Sequence, residues 1–137
     1  MIAMLKRLGL SDRGAAAIEL AFALPILIVL IYGIFQVGVA YQASAGMQHA
    51  LGEGARYATL FPTPDNDQIK DRIKGKVFGV GIGAFDDPTV TDGTDADGTA
   101  FKDLGVTFKM TPNFLFFMGP QINLSRTKRV YSAGRIA

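Results

Sequence analysis

The chain has no cysteine, no tryptophan and a single histidine, His49. Without cysteine there can be no disulfide, no zinc–thiolate site and no thiol chemistry, and cysteine usage says nothing of the redox compartment. One histidine gives poor support to a histidine metal site or a serine–histidine triad, so His49 reads as a surface or helix-packing residue. Charge is scarce as well. Asp, Glu, Lys and Arg make up 19% of the 137 residues, where a soluble globule carries about 25%. The deficit is local, because no charged residue occurs between Glu19 and Glu53. Removing that gap leaves a C-terminal portion of ordinary polarity, a composition that disfavours a free cytosolic enzyme. The net charge is only +2, and no basic helix is interleaved with aromatics, which excludes nucleic acid as an expected partner.

The uncharged gap is an apolar block. Residues 1–14 form a short basic leader with Lys6, Arg7 and Arg13. From Leu20 to Val39 the chain is apolar for twenty residues, which as a helix spans roughly 30 Å, the hydrocarbon thickness of a bilayer. A bilayer offers no water to the backbone, so a single crossing segment must be helical. Pro25 lacks the donor for the carbonyl four residues earlier and is expected to kink the helix or relax one turn. Ala17 and Ala21, four apart, offer a face for close helix approach, with Pro25 and Gly33 as further packing positions. Basic residues precede the block, so the positive-inside rule puts the N-terminus in the cytoplasm. The expected organisation is a leader at 1–14, a transmembrane helix at 15–45 and an exported domain at 46–137. Ala43-Ser44-Ala45 also fits a small-x-small cleavage site, which leaves a secreted or periplasmic small binding domain, released by signal peptidase after Ala45, as the alternative. A cleavable signal has an apolar region of about 7 to 15 residues, shorter than this one.

A glycine closes the leader, and a carboxylate sits five residues later in the mouth of the apolar helix. Gly14-Ala15-Ala16-Ala17-Ile18-Glu19 followed by the apolar run resembles the processing site of type IV prepilins. That resemblance implies cutting by a membrane aspartyl peptidase after Gly14, a new N-terminus at Ala15, and Glu19 as fifth residue of the mature chain. A carboxylate in a membrane costs about 2.5–3.5 kcal/mol on insertion scales. A neighbouring subunit's α-amino group could neutralise it and so set the axial register of stacked helices. Without processing, Glu19 would simply lie at the cytoplasmic interface, where a helix N-terminus tolerates negative charge.

Three blocks in order extend the likeness: Arg13 to Pro25, Tyr32-Gly-Ile-Phe-Gln36, and Glu53-Gly-Ala-Arg-Tyr-Ala58. Together they resemble the TadE-like proteins of the Tad (Flp) branch of type IV pilus machinery, clearly from Arg13 to about Leu60. The resemblance implies a pseudopilin-like, minor-pilin subunit of the bacterial inner membrane with a periplasmic C-terminal domain. It further implies a structural role in assembling adhesive pili that serve adhesion and biofilm formation. Its partners would be other pilin-like or Tad assembly proteins and a prepilin peptidase. No cofactor is implied. This chain has Glu19-Leu20 where Tad-branch prepilins often carry Glu-Tyr.

Beyond the block, Met47, Leu51, Ala55 and Ala58 keep helical spacing, so the helix is expected to continue from Gln42 to Leu60. Gly46, Gly52 and Gly54 either weaken it or allow close packing. Phe61-Pro62-Thr63-Pro64 stops it. Asp65 or Asp67 would cap a short second helix with Ile69 and Ile73 on one face. Gly79-Val-Gly81-Ile-Gly83 lacks the spacing and the following helix of a dinucleotide fingerprint, so it reads as a turn or strand end. Asp92 to Gly98 fails the calcium-loop register, since Gly93 would fall at position one and Leu104 at twelve; it reads as a hairpin or loop.

From Leu104 the period becomes two. Val106, Phe108 and Met110 alternate with Thr107 and Lys109 as a half-buried strand, and Gln121–Ser125 and Thr127–Tyr131 read as two further short strands. Phe114-Leu115-Phe116-Phe117-Met118 is far too short to span. Burial in the core is the first expectation, and an apolar ridge docking a partner or the membrane surface is the second. Arg126, Lys128, Arg129 and Arg135 read as a solvated strand face. The fold class is α+β: a long N-terminal transmembrane helix extending into a small domain with an antiparallel sheet, pilin-like in outline. No nucleophile–base pair, metal cluster or phosphate loop supports catalysis.

Overall fold

One helix dominates the chain because its first half has no residue that would break it except Pro25, and its second half has a partner to pack on. The computed structural model describes residues 12–79 and 81–131; Lys6, Arg7 and Arg135 lie outside them. Helix α1 runs Asp12–Ala58 and passes through Pro25 unbroken. It ends two residues short of the expected Leu60, ahead of the two prolines. Helix α2, Asn66–Lys74, starts at an Asp65 cap that accepts from the Gln68 backbone, while the Gln68 side chain accepts from the Asp65 backbone. This reciprocal arrangement satisfies two donors that a helix start leaves orphaned. Ile69 and Ile73 are both fully buried.

Four antiparallel strands follow: β1 Ala84–Phe85, β2 Thr89–Thr94, β3 Ala100–Met110 and β4 Ile122–Tyr131. Strand β3 is the spine. It pairs with β1 and β2 at its two ends and with β4 along nearly its whole length, from Phe101↔Tyr131 to Met110↔Ile122. Two expectations are corrected. The segments on either side of Arg126 are one strand, because Val106↔Arg126 continues the ladder without a gap. The β3 strand also starts at Ala100, four residues before the alternation becomes visible.

Along β3, Leu104, Val106, Phe108 and Met110 are buried and face α1. The matching face of α1 carries Val39, Ala43, Met47, Ala50, Leu51, Ala55 and Ala58, which recur every three or four residues as a one-sided helix requires. Removing such side chains from water is the main favourable term, about 1.5–3 kcal/mol for each large one. Small residues let other segments come close. A β-carbon at Gly46 would overlap the backbone carbonyl of Phe78, and one at Gly54 would overlap the Ile73 side chain. These two glycines therefore serve close packing, and the helix neither bends away nor stops at them.

Residues 81–83 bend into β1. Gly83 has φ +95°, and any side chain there would collide with the Phe108 ring. Asp92–Gly98 forms the β2–β3 hairpin, closed by Asp95 accepting from the Gly98 backbone N–H. Gly98 has φ +86°, a conformation natural to glycine.

Candidate functional site

Along α1 the surroundings change abruptly at Gln36. From Gly14 to Phe35 no residue is buried, and beyond it one face is buried to the helix end. The uncovered segment is apolar on all sides, with Ile18, Leu20, Phe22, Ile26, Leu30 and Ile34 each more than half exposed. It meets the length and hydropathy expected of a membrane-crossing helix, with mean hydropathy 2.5 over its best window. A helix that is apolar all round needs an apolar solvent. At 1.5 Å per residue the uncovered part is about 33 Å long, close to the ~30 Å hydrocarbon thickness. It therefore ends before the Leu20–Val39 run does, and Val39 lies in the core of the outer domain.

Gly14, Ala15, Ala17, Glu19, Ala21 and Pro25 all lie exposed on this segment, away from the sheet. Glu19 makes no ion pair among the described residues. It sits one helical turn inside the apolar stretch, with Ile18 and Leu20 on either side.

Gly33 is brought against the loop between β3 and β4. A β-carbon there would stand 3.7 Å from the Phe114 ring, in ordinary contact. The loop is internally ordered: the Leu115 backbone N–H donates to Asn113 Oδ1 at 2.9 Å, the Phe114 N–H to the Phe117 carbonyl at 2.9 Å, and the Gly119 N–H to the Pro112 carbonyl at 2.8 Å. Phe114 and Phe117 stack with centroids 4.9 Å apart. Burial of Phe114–Met118 in the core is not what the structure gives. Phe114 is half-buried, and Leu115, Phe116, Phe117 and Met118 are 53–69% exposed. The core is already filled by the α1 and β3 faces, and Leu115 takes a left-handed φ of 72°, which turns the loop outward.

Gln36 was not singled out by sequence reasoning, although it and Tyr32 are the only residues with polar groups between Leu20 and Val39. It is buried, and its Nε2 donates to the Asn113 carbonyl at 3.2 Å, tying the loop to the helix. Its Oε1 has no hydrogen-bond partner among the described residues. Beside it lies an apolar groove of about 610 Å³ between α1 and the loop, lined by Leu30, Gly33, Val37, Met110, Phe114 and Ile122 among others.

Residues 14–56 match the family model of the TadE-like proteins. The match opens at the glycine that closes the leader and stops two residues before the end of α1, so it is coextensive with the long helix. It ties this segment to the Tad pilus system and to a family of pilus-related structural proteins. No curated protein and no solved structure matches the chain.

The charged groups of the outer domain gather mainly at the other end of the sheet. Arg129 makes a forked ion pair with Asp103, both contacts at 2.9 Å, reaches Asp95 at 3.3 Å and stacks over the Phe101 ring. The guanidinium holds the Asp103 carboxyl below the usual aspartate range. Lys102 pairs with Asp92 and donates to Asn66, linking the sheet to α2; the hydrogen bond from Lys102, and then that from Asn66, lowers Asp92. Among the described residues, these carboxylates are occupied by basic partners and no group of three or more acids or histidines could hold a metal ion. His49 stacks at a tilt on Phe78, 5.7 Å away, as a helix-packing residue does.

Proposed function

We propose that this protein is a pseudopilin-like subunit, held by one spanning helix in the bacterial inner membrane, that acts structurally in assembling Tad-type adhesive pili. The supporting observation is that the TadE-like match, residues 14–56, lies within the long helix whose N-terminal half is apolar on all sides and exposed. In this reading the basic leader stays in the cytoplasm, and the domain carrying the sheet lies in the periplasm. The division into leader 1–14, membrane helix 15–45 and domain 46–137 belongs to the same proposal, with residues 36–45 shared by the helix and the domain packing.

The mechanism is positional. Insertion concentrates subunits at the pilus machine, where helices approach through Ala17 and Ala21. A prepilin peptidase acting after Gly14 would create the α-amino group at Ala15, which a neighbouring subunit's Glu19 then meets. Satisfying that carboxylate removes the cost of carrying it inside an apolar segment and fixes the stagger between helices. Other pilin-like or Tad assembly proteins meet the outer domain. Release after Ala45 is disfavoured by the packing, since it would cut α1 and strip Val39 and Ala43 from the core.

The test is the intact mass and N-terminal sequence of membrane-extracted protein, expressed with and without a prepilin peptidase. A peptidase-dependent start at Ala15 supports a pilin-like subunit. An uncut chain makes it a fixed assembly component without a Glu19 register, and a start at Gly46 contradicts the anchored reading.

A further inference from the structure

The Phe114–Met118 loop has two features that a solvent-facing turn does not need. Four consecutive side chains are large, apolar and mostly exposed, yet the backbone beneath them is held by three hydrogen bonds and the Gln36–Asn113 tether. It is a firm platform presenting apolar side chains outward. Its height along α1 is also fixed. Phe114 packs on Gly33 and Asn113 is bonded to Gln36, so the loop stands beside the last turn of the uncovered segment, where that segment meets the folded domain. Exposed Ile122 and the apolar groove adjoin it.

We propose that this loop is a second, non-spanning membrane contact. Leu115, Phe116, Phe117 and Met118 insert among the lipid acyl chains of the outer leaflet, and the groove beside Gly33 takes a lipid chain. The occupant is lipid because the loop is continuous with a surface that is itself sized for lipid: a hydrocarbon layer covering α1 up to Phe35 reaches the loop's level without a gap. Charge agrees with that placement. The Arg129–Asp103 and Lys102–Asp92 clusters lie toward the opposite end of β3, and Lys109, near the loop in sequence, is paired with Asp86 at 2.7 Å. The contact would do what a single helix cannot. A lone helix leaves the outer domain free to rotate about its axis and to ride up and down, whereas two contacts fix its depth and the face it turns to neighbouring subunits. The proposal rests on the membrane-spanning reading of α1.

The absence of tryptophan makes the test direct. Full-length Phe116→Trp, Met118→Trp, Leu30→Trp and Tyr131→Trp variants are reconstituted into phosphatidylcholine–phosphatidylglycerol vesicles, with and without phosphatidylcholine brominated near the glycerol end of its chains. The expected result is blue-shifted emission from Phe116→Trp and Met118→Trp that is lost with brominated lipid, while Tyr131→Trp keeps water-like emission in both. If Leu30→Trp is quenched but the two loop variants emit as in water, the loop proposal is overturned and the spanning helix stands. If the loop variants are blue-shifted but unquenched, a protein surface covers them, which also overturns it. If Leu30→Trp is not quenched either, the spanning helix itself is wrong and the loop proposal falls with it.

Discussion

The two halves of α1 are one helix in two solvents. From Gly14 to Phe35 the apolar side chains point in every direction and none is buried; from Gln36 to Ala58 one stripe of them is buried against the sheet and α2. Both halves are α-helical, so the difference lies in side-chain pattern. An all-round apolar surface specifies an apolar medium and no particular partner. A stripe interrupted by Gly46 and Gly54 specifies one partner at one distance, because Phe78 and Ile73 occupy the space a β-carbon would need. The first half is placed by its medium and the second by its partner.

That contrast is broken most severely by emptying the core. Phe108→Ala removes a ring 1% exposed and should cost about 3–5 kcal/mol of outer-domain stability, measured by denaturant unfolding of the full chain in detergent. Ile26→Ala, at a site 70% exposed, should move the same transition by less than about 0.5 kcal/mol. Comparable losses at both sites would mean that the halves are not differently solvated.

Within the packed half, Gly46→Ala should cost about 1–3 kcal/mol, since the new methyl must displace the Phe78 backbone and not a pliable side chain. Gly52 faces open space, so Gly52→Ala should stabilise the domain by up to about 1 kcal/mol through helix propensity. Equal effects of the two substitutions would deny the close approach at Gly46.

The smallest effect is electrostatic. Asp87, Asp92, Asp97 and Asp103 are all held below the ordinary aspartate range, by Lys74, by Lys102 and Asn66, by Thr99 and by Arg129 respectively. A lowered folded-state value means the stabilisation is complete above the unfolded value of about 3.9 and fades as pH falls through the lower folded values. Thermal unfolding should therefore be insensitive to pH near neutrality and shift modestly downward below about pH 4. The partners are exposed, so each contribution is small. A marked loss already at pH 6 would contradict the assignment to these carboxylates.

Much of this was legible in the sequence because it rests on periodicity. The long helix, the Asp65 start of α2, the alternation on β3 and the α+β class all follow from spacing that repeats over a dozen residues or from strong local chemistry. The boundary at Gln36 was not legible, since Val39 reads as a continuation of the same apolar run; only its burial in the core distinguishes it from Ile34. The ten-residue β4 was read as two pieces on either side of Arg126, but an edge strand carries such charges readily on its exposed face and continues through them. The Phe114–Met118 loop was misjudged for a related reason. Hydrophobicity predicts burial on average, but the Asn113 turn and the left-handed Leu115 that face it outward are determined by three-dimensional neighbours. Gln36 did leave a trace, as an amide within an apolar run, and its buried tether to Asn113 gives that trace a meaning.

The most direct test of the two-solvent helix uses the absence of cysteine. Single cysteines placed along α1 from Ala17 to Ala58, in full-length protein in vesicles, are reacted with a water-soluble maleimide. The account predicts protection at every position from Ile18 to Phe35 whichever way the side chain points. Beyond Gln36 it predicts alternation at the helical period, with Tyr41, Gln42 and Gln48 labelled and Ala43, Met47 and Ala50 protected. Labelling that alternates in the same way through Ile18–Phe35 would contradict it, because that half would then have one covered face and one wet face and would not be surrounded by lipid.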